Sequence, residues 1–243
     1  GKIRDTDDGN SGADYELNGA VELAITTIDG STYAVVAANA DSGISIIDIS
    51  TPGSPTHVIS IVDDAAKELD QAYSVAIATI SGSTYVVAVG YADDGIAIID
   101  ISTPASPVYV SELEDDTDTG KCSAANGERC LDGPTSVAVE TIGGLTYAIV
   151  VSKDDSAVTV IDITTPSNPT IVAMMYDDND KMLSGAKAVS IATIGDSIYA
   201  VVSGSTDDGI EIIHLYTGST ITITSSSGSS GDTVTSDTLS YTV

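Results

Sequence analysis

The chain has 243 residues, with 36 Asp and Glu against eight Lys and Arg, a formal charge of −28 and a pI near 4.1. A surface this acidic excludes nucleic acid and anionic membranes as partners held by charge. With 42% hydrophobic residues and a mean hydropathy of +0.19, the chain has the material for a packed core, and no apolar run approaches the length of a transmembrane helix. Length allows one large domain or two small ones. Gly1 in place of an initiating Met is expected for a processed or trimmed chain.

In chain order, the apolar segments are short, rich in Val, Ile, Thr and Tyr, and broken by Gly, Asp, Ser and Pro. That is the pattern of strands and tight turns. The first four predicted strands cover 21–28, 32–38, 43–49 and 56–62, and the same pattern then recurs. Tyr33, Tyr85, Tyr147 and Tyr199 follow one another at spacings of 52, 62 and 52 residues, and Asp48, Asp100, Asp162 and His214 keep the same three intervals. Four antiparallel strands recurring about every 50 residues is the period of a β-propeller blade, which buries its faces on its neighbours. The expected fold is all-β: a propeller of four four-stranded blades near 20–65, 72–118, 134–180 and 186–216, with residues 1–216 as the propeller domain.

Ile-Ser-Ile-Ile-Asp48-Ile-Ser-Thr-Pro, Ile-Ala-Ile-Ile-Asp100-Ile-Ser-Thr-Pro and Val-Thr-Val-Ile-Asp162-Ile-Thr-Thr-Pro resemble the LVIVD repeat of secreted and cell-surface propeller proteins. The resemblance spans residues 20 to 215 and implies a scaffold, adhesion or binding module. The fourth copy departs from it, since His214 replaces the Asp and the Thr-Pro-x-Ser-Pro turn is missing. That last blade lacks an outer strand of its own. Residues 1–9, whose Asp7-Asp8 matches the Asp pairs ending the other outer strands, are expected to supply it and close the ring. Residues 217–243 are a Ser/Thr-rich tail with period-two alternation; they either fold back on the chain or lend a strand to a neighbouring subunit.

The Asp-rich turns fall between the second and third strands of each copy and between copies, which predicts one acidic face. Asp5, Asp7, Asp116, Asp118, Asp177 and Asp180 are candidate calcium ligands, although no complete calcium loop is present. Asp48, Asp100 and Asp162 precede Pro-containing turns and are expected to cap turn N–H groups. Cys122 and Cys130 bracket a polar loop whose length suits a local disulfide, the alternative being two free thiols. His57 and His214 lie outside any catalytic motif, and no catalytic residue is assigned. The expectation from sequence is a non-enzymatic extracellular structural protein that polymerises with itself into a filament, layer or adhesive assembly, by terminal strand exchange. The alternatives are a monomeric cation- or protein-binding module and a propeller hydrolase or lyase.

Overall fold

The computed structural model describes residues 1–4, 15–64, 66–115, 130–178, 180–216, 220–227 and 235–242. Among these, all regular structure is strand. Sheet 1 comprises β1 (Ala20–Ile28), β2 (Ser31–Ala38), β3 (Gly43–Asp48) and β4 (Thr56–Val62). Sheet 2 comprises β5 (Ala72–Ile80), β6 (Ser83–Gly90), β7 (Gly95–Asp100) and β8 (Val108–Glu114). Sheet 3 comprises β9 (Pro134–Ile142), β10 (Leu145–Ser152), β11 (Ala157–Asp162) and β12 (Thr170–Tyr176). Sheet 4 comprises β13 (Ala186–Ile194), β14 (Ser197–Gly204), β15 (Gly209–Tyr216), β16 (Thr220–Ser227) and β17 (Thr235–Thr242). Each sheet is an antiparallel meander in chain order, consistent with the blades of a four-blade β-propeller.

The hairpins follow from local chemistry. At the first turn of sheets 1, 2 and 3, Asp29-Gly30, Ser81-Gly82 and Gly143-Gly144 all have positive φ at both positions. Two left-handed residues make the mirror-image turn whose twist matches the flanking strands, and Gly with Asp or Ser tolerates it. The turns fix the register, so that Ala24 faces Val35, and Val35 faces Ile46, across sheet 1.

The chain divides into two compact units, Gly1–Leu113 and Glu114–Val243. In the first, Val35, Ala37, Ile44 and Ile46 of sheet 1 form one buried cluster with Val75, Val86, Ala88 and Ile99 of sheet 2. In the second, Ile149, Val151, Val158 and Val160 of sheet 3 do the same with Val189, Ala200, Val202 and Ile213 of sheet 4. We call the surface that the first sheet of a unit turns to the second its forward face, and the receiving surface of the second its rear face, and carry both names to the equivalent positions of every sheet. The two clusters use equivalent positions, 114 residues apart, on both faces. Each fully buried Ile or Val contributes about 1.5–3 kcal/mol of transfer free energy.

The closure expected from residues 1–9 is replaced by another arrangement. The strand beside β15 is β16, from the Ser/Thr-rich segment, and β17 pairs beyond it, so sheet 4 has five strands where four were expected. β16 begins four residues after β15 ends, so pairing with it closes a far shorter loop than a partner from the opposite terminus. Residues 1–4 form no strand, and residues 5–9 lie outside the described residues.

Each inter-sheet core also takes a leucine from the connection preceding its second sheet: Leu69 in the first unit and Leu183 in the second, both fully buried. Leu69→Ala and Leu183→Ala are each expected to cost about 2–5 kcal/mol, as buried leucine truncations do. Urea denaturation measures this, and a loss below about 1 kcal/mol at both positions would contradict the packing described.

Candidate functional site

The acidic turns are built from a repeated hydrogen bond. Asp41, Asp93, Asp155 and Asp207 stand between the second and third strands of their sheets, and each accepts the backbone N–H of the residue 23 positions earlier. The donors are Asn18, Asp70, Asp132 and Ser184, at 2.7, 2.6, 2.9 and 2.8 Å. A second set joins the end of one meander to the approach of the next: Asp63 accepts from Leu69 at 3.2 Å, Asp115 from Leu131 at 3.3 Å and Asp177 from Leu183 at 3.1 Å. These carboxylates hold loop N–H groups that no strand partner satisfies.

The cost appears in their ionisation. Burial raises Asp63 above the ordinary carboxylate value, and the nearby charges of Asp93 and Asp70 add to it. Burial likewise raises Asp177, with Asp207 and Asp178 adding. Their neighbours go the other way: Asp64 is lowered by its hydrogen bond from Lys67, and Asp178 by that from Lys181. Of the candidate calcium ligands, Asp5, Asp7, Asp116 and Asp118 lie outside the described residues. Asp177 is engaged with Leu183, and the Asp180 N–H donates to Asp178 Oδ1. Among the described residues, no group of three His, Cys, Asp or Glu side chains is placed to hold a metal ion.

Asp48, Asp100 and Asp162 each accept, through Oδ1, the N–H two residues on, at 2.8 Å in all three. The hydroxyl of that third residue then accepts the N–H of Thr32, Thr84 or Thr146 on the adjoining strand. His214, in the fourth copy, instead stacks on Tyr199 with ring centroids 4.8 Å apart. Among the described residues, neither its Nε2 nor the Oε1 of buried Glu211 has a hydrogen-bond partner. Of the repeated tyrosines, Tyr147 is fully buried and Tyr33, Tyr85 and Tyr199 are half-buried. Cys130 is buried beside Asp115, whose carboxylate accepts its N–H, and Cys122 lies outside the described residues.

The rear face of sheet 1 carries a cluster that sequence reasoning missed. His57 Nε2 lies 2.8 Å from Ser60 Oγ, and Ser60 Oγ lies 2.9 Å from Ser45 Oγ. Ser45 donates to the carbonyls of Tyr15 and Glu16, and the Tyr15 ring sits 4.6 Å from the His57 ring. Burial lowers the His57 pKa, favouring the neutral imidazole. Beside this cluster an open groove of about 1010 Å³ runs over Leu23, Ala34, Val36 and Ile47 to Pro52 and Pro55, bordered by Lys2 and Arg4. The only sequence signal was Ser45, a polar residue where sheet 2 has Ala97.

Sheets of this class, meanders stacked face on face, are those of β-propeller proteins. Three LVIVD repeats match the chain, over residues 31–63, 80–115 and 144–177. No curated protein matches it. Among solved structures, it is similar to the periplasmic gluconolactonase PpgL of Pseudomonas aeruginosa, with 8% identity and a TM-score of 0.56 over 91% of this chain and 56% of that one. It is similar to the C-terminal domain of Pseudomonas aeruginosa PilY1, with 14% identity and a TM-score of 0.54 over 83% and 49%. It is also similar to a thermostable family-43 glycoside hydrolase, with 10% identity and a TM-score of 0.52 over 83% and 71%. At such identity the likeness is one of fold. The chain spans about half the length of the first solved structures it matches. The expectation of a non-enzymatic protein is corrected by these matches: the fold is shared with a gluconolactonase and a glycoside hydrolase, and so does not set the chain apart from enzymes.

The raised carboxylates give a signed pH effect. A carboxyl whose pKa is higher folded than unfolded stabilises while protonated, and that contribution is lost as pH rises above 3.8 through the folded value. Asp64 and Asp178 act oppositely, contributing above 3.8 and losing it as pH falls. Asp63→Asn keeps an oxygen for the Leu69 N–H and removes the repulsion. It is expected to leave the melting temperature at pH 7 unchanged or higher, while Asp63→Ala, which leaves that N–H only its bond to the Lys67 carbonyl, costs about 0.5–1.5 kcal/mol. Melting curves from pH 3 to 7 check this, and equal losses in both variants would contradict it.

Proposed function

We propose that the chain is a subunit of an extracellular or cell-surface assembly that forms by association with further copies of itself. The observation that carries this reading is the fifth strand of sheet 4. Sheets 1, 2 and 3 end at four strands, the complement of one repeat, whereas sheet 4 continues into β17. A strand beyond the repeat extends the row of main-chain donors and acceptors along which another chain's strand can add. Such a contact joins unlike surfaces, and repeated from copy to copy it builds a fibre or closes a ring. Among the described residues no cysteine is free, and an oxidised Cys122–Cys130 pair fits an oxidising exterior. Deleting residues 228–243 removes β17 and keeps β16. Light scattering and negative-stain microscopy are expected to show the large regular particles of the full chain lost, and particles of unchanged size and number would contradict the reading.

A second reading, a hydrolase, rests on the 2.8 Å contact between His57 Nε2 and Ser60 Oγ. A neutral imidazole at that distance is placed to take the hydroxyl proton, as a base activating a nucleophile does. A fluorophosphonate probe is expected to label the chain at Ser60 and to lose that label in Ser60→Ala and His57→Ala; no labelling of the intact chain would dismiss this reading.

A further inference from the structure

The contacts that join His57, Ser60 and Ser45 have a direction, and the hydrogens available set it. Ser45 is fully buried and carries one hydroxyl hydrogen. It donates to the Tyr15 carbonyl and, at 3.0 Å, to the Glu16 carbonyl, and neither oxygen has a hydrogen to return. In its 2.9 Å contact with Ser60, Ser45 is therefore the acceptor, and the one Ser60 hydrogen points to Ser45. That leaves Ser60 only lone pairs to offer His57 Nε2 at 2.8 Å, so the imidazole carries its proton on Nε2. Donation runs from His57 to Ser60, from Ser60 to Ser45, and from Ser45 to the two carbonyls. An imidazole protonated on Nε2 has no lone pair there with which to draw the Ser60 proton.

We propose that the Tyr15–Glu16 segment is an intramolecular brake on Ser60: by claiming the Ser45 hydrogen it turns the Ser60 hydrogen away from His57, and its displacement releases Ser60 to the imidazole. This rests on the hydrolase reading of Ser60 and His57 and adds the regulation of that site. Once the segment leaves, Ser45 gives its hydrogen to Ser60 and Ser60 gives its own to His57 Nε2. The imidazole loses its Nε2 proton to water and takes one from water on Nδ1, the tautomer a general base needs.

The segment is built differently from its counterparts in the other copies. Glu16 has left-handed backbone, with φ of 42°, which a residue bearing a side chain adopts at a cost. Glu68, Cys130 and Met182, at the same position one residue ahead of Leu69, Leu131 and Leu183, do not share it. The bend sets two successive carbonyls on one hydroxyl, where Thr159 of sheet 3 donates to the single carbonyl of Cys130 at 2.6 Å. Tyr15 stands where the other copies have Lys67 and Lys181, which pair with Asp64 and Asp178; its ring instead lies 4.6 Å from the His57 ring. The segment thus covers the base as well as directing the proton.

The fold itself does not call for the hydroxyl and imidazole beyond the tie. Ser45 and Ile47 pair with Ser60 and His57, whereas the equivalent Thr159 and Ile161 pair with Met174 and Ile171. Sheet 3 ties its preceding connection through Thr159 with only apolar side chains at those two outer-strand positions.

Two substitutions release the brake from opposite ends. Ser45→Ala removes the hydroxyl, and sheet 2 already holds fully buried Ala97 at that position. Glu16→Pro displaces the segment ahead of β1, because proline cannot take a φ of 42°. Glu16→Gly takes that φ freely and serves as the control. Heteronuclear NMR of isotope-labelled histidines, with His57→Gln separating His57 from His214, reads the tautomer. His57 is expected to be protonated on Nε2 in the wild type and in Glu16→Gly, and on Nδ1 in Ser45→Ala and Glu16→Pro.

Reactivity is read with a fluorophosphonate: Ser60 Oγ bonds to phosphorus, fluoride leaves, and the hydroxyl proton passes to His57. Labelling is expected to be slow in the wild type and Glu16→Gly, and about a hundredfold faster in the two released variants, the low end of what a positioned base contributes. Ser45→Ala and Glu16→Pro act at different places, so either one carries the comparison if the other fails to fold. A wild-type His57 protonated on Nδ1 would overturn the brake and leave the hydrolase reading standing. So would labelling no faster in the released variants than in the wild type, or Glu16→Gly as reactive as Glu16→Pro. A tautomer that changes as stated with no labelling of any variant would overturn the hydrolase reading, and the braking role with it.

Discussion

The structure depends on one constraint: a four-stranded meander has two apolar faces, and neither can be left to water. Sheet 1 shows how the sequence meets it. Val35 and Ile46 point forward into sheet 2, while the alternate residues Ala34, Val36 and Ile47 point back. A sheet apolar on both sides has no independent stability and must be one of a stack, so the repeat and the burial are two statements of the same fact. The small size of the residues follows as well. With Val, Ile and Ala at the contacts, and no Phe or Trp anywhere in the chain, neighbouring sheets approach closely along their length.

The carboxylates serve that stacking. A connection that leaves one sheet and enters the next runs past strand ends, where its N–H groups have no ladder to join. Asp41, Asp93, Asp155 and Asp207 provide the acceptors from one side, and Asp63, Asp115 and Asp177 from the other. Bringing the two sets to the same connections sets like charges near one another, which is why Asp63 and Asp177 ionise less readily than free carboxylates. Part of the acidity of this protein is thus a by-product of how its loops are tied.

Much of the fold was legible in the sequence because it is local. Strand ends in the first copy agree within one residue of the predicted ones, since Asp29-Gly30 and the Pro52 turn mark them with residues that only certain backbone conformations accept. What was not legible depends on pairings across distance. The outer strand of sheet 4 looked assignable to residues 1–9 by an Asp-Asp match, yet β16 pairs there. The Ser45, Ser60 and His57 cluster joins two strands through a register that the sequence does not print, and the 23-residue step from Asp93 back to Asp70 becomes visible only once the sheets are placed.

The central claim is that, within each unit, the forward face of one sheet is buried on the rear face of the next. Hydroxyl-radical footprinting tests it most directly, with Ile46 and Ile99 of the first unit and Ile149 and Ile213 of the second read against exposed Val108 and Ile194. The account predicts that the four buried side chains stay protected in the folded protein while Val108 and Ile194 are oxidised. Any of the four oxidised as readily as the exposed pair would contradict it.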